Sequence, residues 1–419
     1  MLQQPTIDQN ADSENQLSPA SPQAASKKER LMSLDVLRGL LIAGIISADC
    51  WYRSFNYDWE SFDITDCVFP TFLFIMGITV SLKLQQQDRF QRRTWYQILQ
   101  RTILLFLIGN VLHIEERMFY MISQNRFTGW RIMGTLQRLS ICYLTVSSTN
   151  ILITKLKFHA IFLALCLTIY LGFMHGYAVP NYYLANSPNS EIICGRAKLN
   201  EECNFGGFID RMVFGNNSKW MIYPSDPEGL FTTLSSLINA YAGLVFGRML
   251  QQKKQEMSSS SMVLKCIEGG IRNEKLFRNW ILLSTTFVIL GSLFWSFDPI
   301  IRNIWSVSFA FFTSAISGFA FSICFYVVEI LNISFINETL CQPFIWLGRN
   351  SLFIFVAIVA ISNFLFGISH NRSYYSIYFF FASFLGEGFL AALFAILLNL
   401  TLWLLVAYLL YRKKIFITV

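Results

Sequence analysis

Several ionisable residues sit inside or beside long apolar runs, where each costs enough to need a partner or a task. Asp35 and Arg38 stand three residues apart at the start of the first run, a spacing that shares one helix face. They read either as an interfacial ion pair or as an anchor for a phosphate-bearing cofactor. Asp49 closes the same run and is followed by Trp51, Tyr52, Asn56, Asp58 and Trp59. A carboxylate among aromatics at a membrane mouth suits a general base or a sugar contact, or else a solvated helix-end acid. The string Arg131-Ile-Met-Gly-Thr-Leu-Gln137-Arg138 carries Arg138 well into another run. An arginine that deep should face a bundle interior and hold an anion or a carboxylate. Asp226-Pro-Glu228-Gly229 opens a further run, where acids suit a helix N-terminus. Gly348-Arg349-Asn350-Ser351 sets another arginine in a run, and Glu387 lies between Gly386 and Gly388.

The usual soluble chemistries have no motif here. There is no Walker loop, dinucleotide fingerprint, zinc motif or serine elbow. The nine cysteines are scattered, with Cys142, Cys166 and Cys324 inside apolar runs, so they read as packing and no metal site is expected. Four histidines are present: His159 toward one face, and His113, His175 and His370 toward the other.

The elements that position these residues must be membrane helices. Of 419 residues, 54% are hydrophobic, 16% aromatic and 14% charged. A soluble domain carries roughly 25% charged residues. Lipid as solvent demands helices or closed barrels, and continuous apolar runs select helices. The expected class is an all-α polytopic bundle with about ten spans, at roughly 33–50, 67–84, 97–114, 131–153, 157–177, 229–250, 277–297, 303–331, 343–367 and 381–411. A short interfacial helix at 374–384 is expected before the last. Residues 1–30 read as a polar cytoplasmic tail without a signal-peptide core, and 31–415 as one transmembrane domain.

Charge sets the orientation. The net charge of +7 comes largely from the tail, 83–101, Lys155 and Lys157, 248–278, and Arg412 to Lys414, which ten spans place on one side. The positive-inside rule makes that side the cytoplasm and holds both termini there. These basic residues orient the chain and do not signal nucleic acid. The membrane is the inner or plasma membrane in a bacterium, and the lysosomal or another endomembrane in a eukaryote. The opposite face carries one long loop, 178–228, with Cys194 and Cys203, which either bridge or stand as two separate thiols. Asn216-Asn217-Ser218 and Asn371-Arg372-Ser373 match the glycosylation pattern on that face.

Five strings, in order, resemble the transmembrane acetyltransferase family of heparan-α-glucosaminide N-acetyltransferase and its bacterial relatives. They are Arg30-Leu-Met-Ser-Leu-Asp35-Val-Leu-Arg38-Gly39; Asp66-Cys-Val-Phe-Pro70 running to Phe74-Ile-Met-Gly77; Arg131 to Arg138; Phe208-Ile-Asp210-Arg211 with Asp226-Pro-Glu228-Gly229-Leu230 and Gly247-Arg248; and Pro343-Phe-Ile-Trp-Leu-Gly348-Arg349-Asn350-Ser351. Together they cover about residues 30–410. The resemblance implies an enzyme that takes acetyl-CoA from the cytoplasm and passes the acetyl group to an amino sugar or similar acceptor on the far side. It also admits a homodimer. In the family, an exofacial His between spans one and two and an Asn at the end of span one form the active site. Counting from the matching strings puts Asn56 where that His belongs and Asp49 where that Asn belongs.

An amide cannot take a proton from an incoming amine, whereas a carboxylate can. Either the base has moved to Asp49 with Asn56 as positioner, or one of His113, His175 and His370 reaches the site, or the chain is a relative that no longer transfers acyl groups. On the first reading Asp49 and Asn56 are catalytic. Arg38, Arg138, Arg349 and Asn350 hold acetyl-CoA, since a guanidinium fork suits phosphate. Trp51, Asp58, Trp59, Arg131, Gln137, Asp226 and Glu228 meet a small-molecule or saccharide acceptor. The rival is a transporter or binding protein for a polar envelope molecule, whose intramembrane polar residues line a path, although no two-half repeat is visible.

Overall fold

Glycines decide how closely the helices of this chain approach. The computed structural model describes residues 31–51, 59–60, 62–84, 91–124, 131–183, 191–214, 225–259, 262–368, 377–386 and 388–417. The chain divides into Met1–Leu31 and Met32–Val419, and every element among the described residues lies in the second unit. In order these are α1 (Met32–Trp51), a 3-10 turn (Ile64–Cys67), α2 (Val68–Lys83), α3 (Arg92–Gln124), α4 (Thr135–Leu152) and α5 (Leu156–Gly176). A two-residue hairpin follows, β1 (Tyr182–Tyr183) with β2 (Glu191–Ile192). Then come α6 (Phe205–Phe214), α7 (Thr233–Ser259), α8 (Met262–Trp295), α9 (Val307–Phe325), α10 (Gln342–Arg349), α11 (Ser351–Ile368), α12 (Ile377–Leu385) and α13 (Phe389–Arg412).

Helix α7 is the hub. A Cβ on Gly77 of α2 would strike the Ala240 carbonyl of α7, and one on Gly243 would strike the Phe74 carbonyl of α2. Small residues on both faces let the backbones touch, which in lipid gives packing energy that the hydrophobic effect cannot. The contacts Phe74 with Gly243 and Ser81 with Gly247 show that α2 and α7 run the same way. Helix α4 is parallel to them too, with Cys142 beside Ser236 (3.3 Å) and Thr149 beside Tyr241 (2.7 Å). So is α9, because Thr71 meets Ser317 (2.9 Å) and Phe246 meets Phe321. Each of α3, α5 and α8 therefore crosses back between parallel neighbours. Helix α1 is antiparallel to α2, pairing Arg38 with Thr79 and Gly44 with Val68.

Among the described residues, six helical segments are long and apolar enough to cross a membrane, and the bent pair α10–α11 makes seven. Helices α1, α4 and α7 fall outside that test. The last two are polar on their enclosed faces, with Arg138, Ser140 and Ser147 on α4 and Ser235, Ser236 and Asn239 on α7, all fully buried. The ninth expected span, 343–367, is not one straight helix. It breaks by 76° at Asn350, between α10 and α11. Its side chain takes the Ile417 amide (2.9 Å) and donates to the Ile415 carbonyl (3.1 Å). That ties the break to the chain just after α13. The helix expected at 374–384 is α12, and Cys194 and Cys203 form a disulfide.

Candidate active site

Arg138 enters the bundle four residues into α4 and is removed completely from solvent. Its Nη2 donates to Thr232 Oγ1 (2.5 Å) and the Gly229 carbonyl (3.2 Å), just before α7 begins. Its guanidinium stacks on Trp305, 4.7 Å from the ring centre, a desolvated cation–π contact. Trp305 holds the left-handed φ of 50°, uncommon for a bulky side chain. Local bonds fix it there: its indole N–H donates to Asn239 Oδ1 (3.1 Å) and its carbonyl accepts from Ser235 (2.6 Å). Phe69 and Phe309 meet its ring edge-on.

Acids surround this cation. Arg131 grips Asp226 bidentately, Nε to Oδ2 at 3.1 Å and Nη2 to Oδ1 at 2.7 Å, and reaches Glu228 as well. Burial works to raise the Asp226 carboxyl, but the adjoining Arg131 outweighs it and holds the group below its ordinary value. Asp210 of α6 accepts from the Leu230 amide (2.9 Å), while its second oxygen is buried against Gly229. Burial pushes that carboxyl up to about 7.

Arg38 and Arg349 meet elsewhere. Both face the buried Asp35 carboxylate, Arg38 Nη1 at 3.1 Å and Arg349 Nε at 3.9 Å. Arg38 also donates to Thr79 (2.7 Å), and Arg349 lies against the rings of Tyr411 and Phe416. The backbones nearly touch, since a Cβ on Gly348 would strike the Asp35 carbonyl. This pair lies at the level of Ser81 and Gly247, the far end of α7 from Thr232. The rise of 1.5 Å per residue puts roughly 20 Å between that level and Arg138. The three arginines thus occupy two stations at opposite ends of the bundle.

No family model matches the chain. It is 25% identical to the heparan-alpha-glucosaminide N-acetyltransferase of Homo sapiens over 96% of its own length, and 25% identical to that of Mus musculus over 93%. It spans 61% of the length of each of these relatives. The chain is a relative of the heparan-alpha-glucosaminide N-acetyltransferases. It is an integral multi-pass membrane protein.

In this acetyltransferase relative, the strings singled out from sequence fall at the two stations. Arg131, Arg138, Asp226 and Glu228 come together at one, and Asp35, Arg38, Arg349 and Asn350 at the other. Gln137 turns toward α3 and donates to Asn110 (3.1 Å). Trp59 donates its indole N–H to the Leu199 carbonyl (3.0 Å), pinning the segment before α2 to the one between α5 and α6. Asp49 and Trp51 fall in the last turn of α1, and their side chains lie outside the described residues, as do Asn56, Asp58, His370 and Glu387. His113 packs its ring against Gly134, one turn before Arg138.

Sequence reasoning named His175 without its partner and passed over two further groups. Arg302 pairs with Asp66 (2.9 Å), His175 faces Asp298 (3.4 Å), and Trp305 carries Arg138. The string Asp298-Pro-Ile-Ile-Arg302-Asn-Ile-Trp305 was the available signal: charges and an indole crowded into a short break between apolar runs.

Proposed function

We propose that the chain is a membrane acyltransferase that binds acetyl-CoA at the Arg38–Arg349 station and delivers the acetyl group to an amino sugar or similar acceptor at the Arg138 end. The single observation that carries this is the convergence of Arg38 and Arg349, from different helices, on one buried carboxylate. Asp35 splits its charge between two guanidiniums, and Arg349 Nε is buried without a hydrogen-bond partner. A polyanion brought there meets planar donors already held in place by Tyr411, Phe416 and Thr79. An extended carrier entering there points its thioester toward Arg138. Positive-inside charge makes the Arg38 end cytoplasmic. Asp49 and Asn56 lie in the sequence where the outer loop leaves α1, placed to contact the acceptor.

The test is calorimetric titration of acetyl-CoA into full-length protein in lipid nanodiscs. Wild type should bind, and Arg349→Gln should weaken binding at least tenfold. No binding by wild type ends the enzyme reading, and solute counterflow in liposomes without CoA replaces it with transport.

A further inference from the structure

Asp298 is a fully buried carboxylate in the short loop between α8 and α9. Its Oδ2 accepts the Val307 amide at the first residue of α9 (2.6 Å), where the helix N-terminus favours a negative charge. Its Oδ1 meets one side chain, His175, whose Nε2 lies 3.4 Å away in the last turn of α5. Both of these atoms are buried and neither has a close hydrogen bond. The imidazole edge rests on Phe297 and the ring is 23% exposed, so one nitrogen faces the acid and the rest of the ring is reachable from outside.

The pair is coupled to the Arg138 station through the same loop. Tyr170, five residues before His175 on α5, donates to the Ile304 carbonyl (2.9 Å), and Trp305 follows under Arg138. Tyr170 lies within the electrostatic reach of both Asp298 and Arg138. The outer loop that holds Asn56 ends at Trp59, bonded to Leu199 in the segment that begins just after His175. The acid that faces His175 is Asp298 from the α8–α9 loop, and Tyr170 of the same helix lies within electrostatic reach of that acid.

We propose that His175 and Asp298 form the general-base dyad of the acyl transfer, taking the part of the imidazole that Asn56 cannot play. The inference rests on the acyltransferase reading. Asp298 orients the ring, keeps the proton on Nε2 and stabilises the imidazolium, which leaves Nδ1 as the acceptor. The acceptor amine attacks the thioester carbonyl carbon and passes its N–H proton to Nδ1. Collapse of the tetrahedral adduct breaks the C–S bond, and the departing CoA thiolate takes the proton back from His175. The Nε2–Oδ1 separation of 3.4 Å should tighten when substrate binds.

The experiment uses full-length protein in nanodiscs and follows CoA thiol release with glucosamine, and with water alone, alongside acetyl-CoA binding. His175→Gln should lower kcat about a hundredfold, leave acetyl-CoA affinity within twofold, and abolish the acidic limb of the kcat/KM profile. Asp298→Asn keeps an oxygen for the Val307 amide and should move that limb to lower pH; this variant carries the test if the first does not fold. Asp49→Asn should raise KM for glucosamine and leave the limb in place. A His175→Gln enzyme with kcat within threefold of wild type, an unmoved limb in Asp298→Asn, or a wild type that binds acetyl-CoA yet releases no thiol overturns the dyad. A wild type that binds no acetyl-CoA overturns the acyltransferase reading beneath it.

Discussion

The guanidinium of Arg138 lies 4.7 Å from the centre of the Trp305 ring, with no part of its side chain open to solvent. A buried cation persists only where its surroundings compensate it, and here Thr232, Gly229 and nearby Asp210, Asp226 and Glu228 do so. Arg138→Leu strands those acceptors and leaves the acids in excess, so it should cost about 3–5 kcal/mol. Thermal unfolding in nanodiscs measures this, and an unchanged midpoint would show that the network does not need the cation.

Close approach of α2 to α7 rests on glycine. Gly77→Leu or Gly243→Leu forces a side chain into a backbone carbonyl of the facing helix, so neither variant should reach the native packing. Gly172 on α5 has no neighbour within 4 Å, and Gly172→Ala should be neutral or stabilise by up to about 1 kcal/mol. Comparing folded yield and melting of the three variants tests the contrast.

Asp210 sits outside the spans with its carboxyl raised to about 7 by burial. The folded state therefore holds a proton that the unfolded chain has already released, and stability from this group falls as pH rises from about 4 to about 7. Asp210→Asn keeps an oxygen for the Leu230 amide and should flatten this dependence, gaining most at pH 8. Melting curves from pH 5 to 8 decide it; parallel curves for the two proteins would contradict the assignment.

The Cys194–Cys203 bridge closes a short loop between α5 and α6 that also holds Leu199, the partner of Trp59. By the loop-entropy account its removal should cost roughly 2–3 kcal/mol. The Cys194→Ser, Cys203→Ser double variant should melt lower in non-reducing buffer and match wild type in dithiothreitol. Equal melting in both buffers would mean that the bridge constrains nothing.

Hydropathy and charge made the membrane class and the positions of the helices legible, because lipid requires contiguous apolar segments whatever their partners. The resemblance was legible too, since the polar strings interrupt those segments in a fixed order. Asn350 was in plain view as a polar residue in a run, but the break it makes was not, because its partners lie beyond α13 in the chain. His175 was legible as a candidate and Asp298 as a charge in a short break between runs, but their pairing was not, because α5 and the α8–α9 loop are far apart in the chain.

The amino-acid order alone settled that this chain must live in lipid and which polar residues must lie among apolar ones, since both follow from the cost of solvating each segment by itself. Folding decided how those residues are grouped: Arg38 with Arg349 around Asp35, Arg138 with Trp305 at the other end of α7, and His175 with Asp298. Those groupings depend on helix direction and on glycine contacts between segments far apart in the chain, and no single run of sequence contains that information.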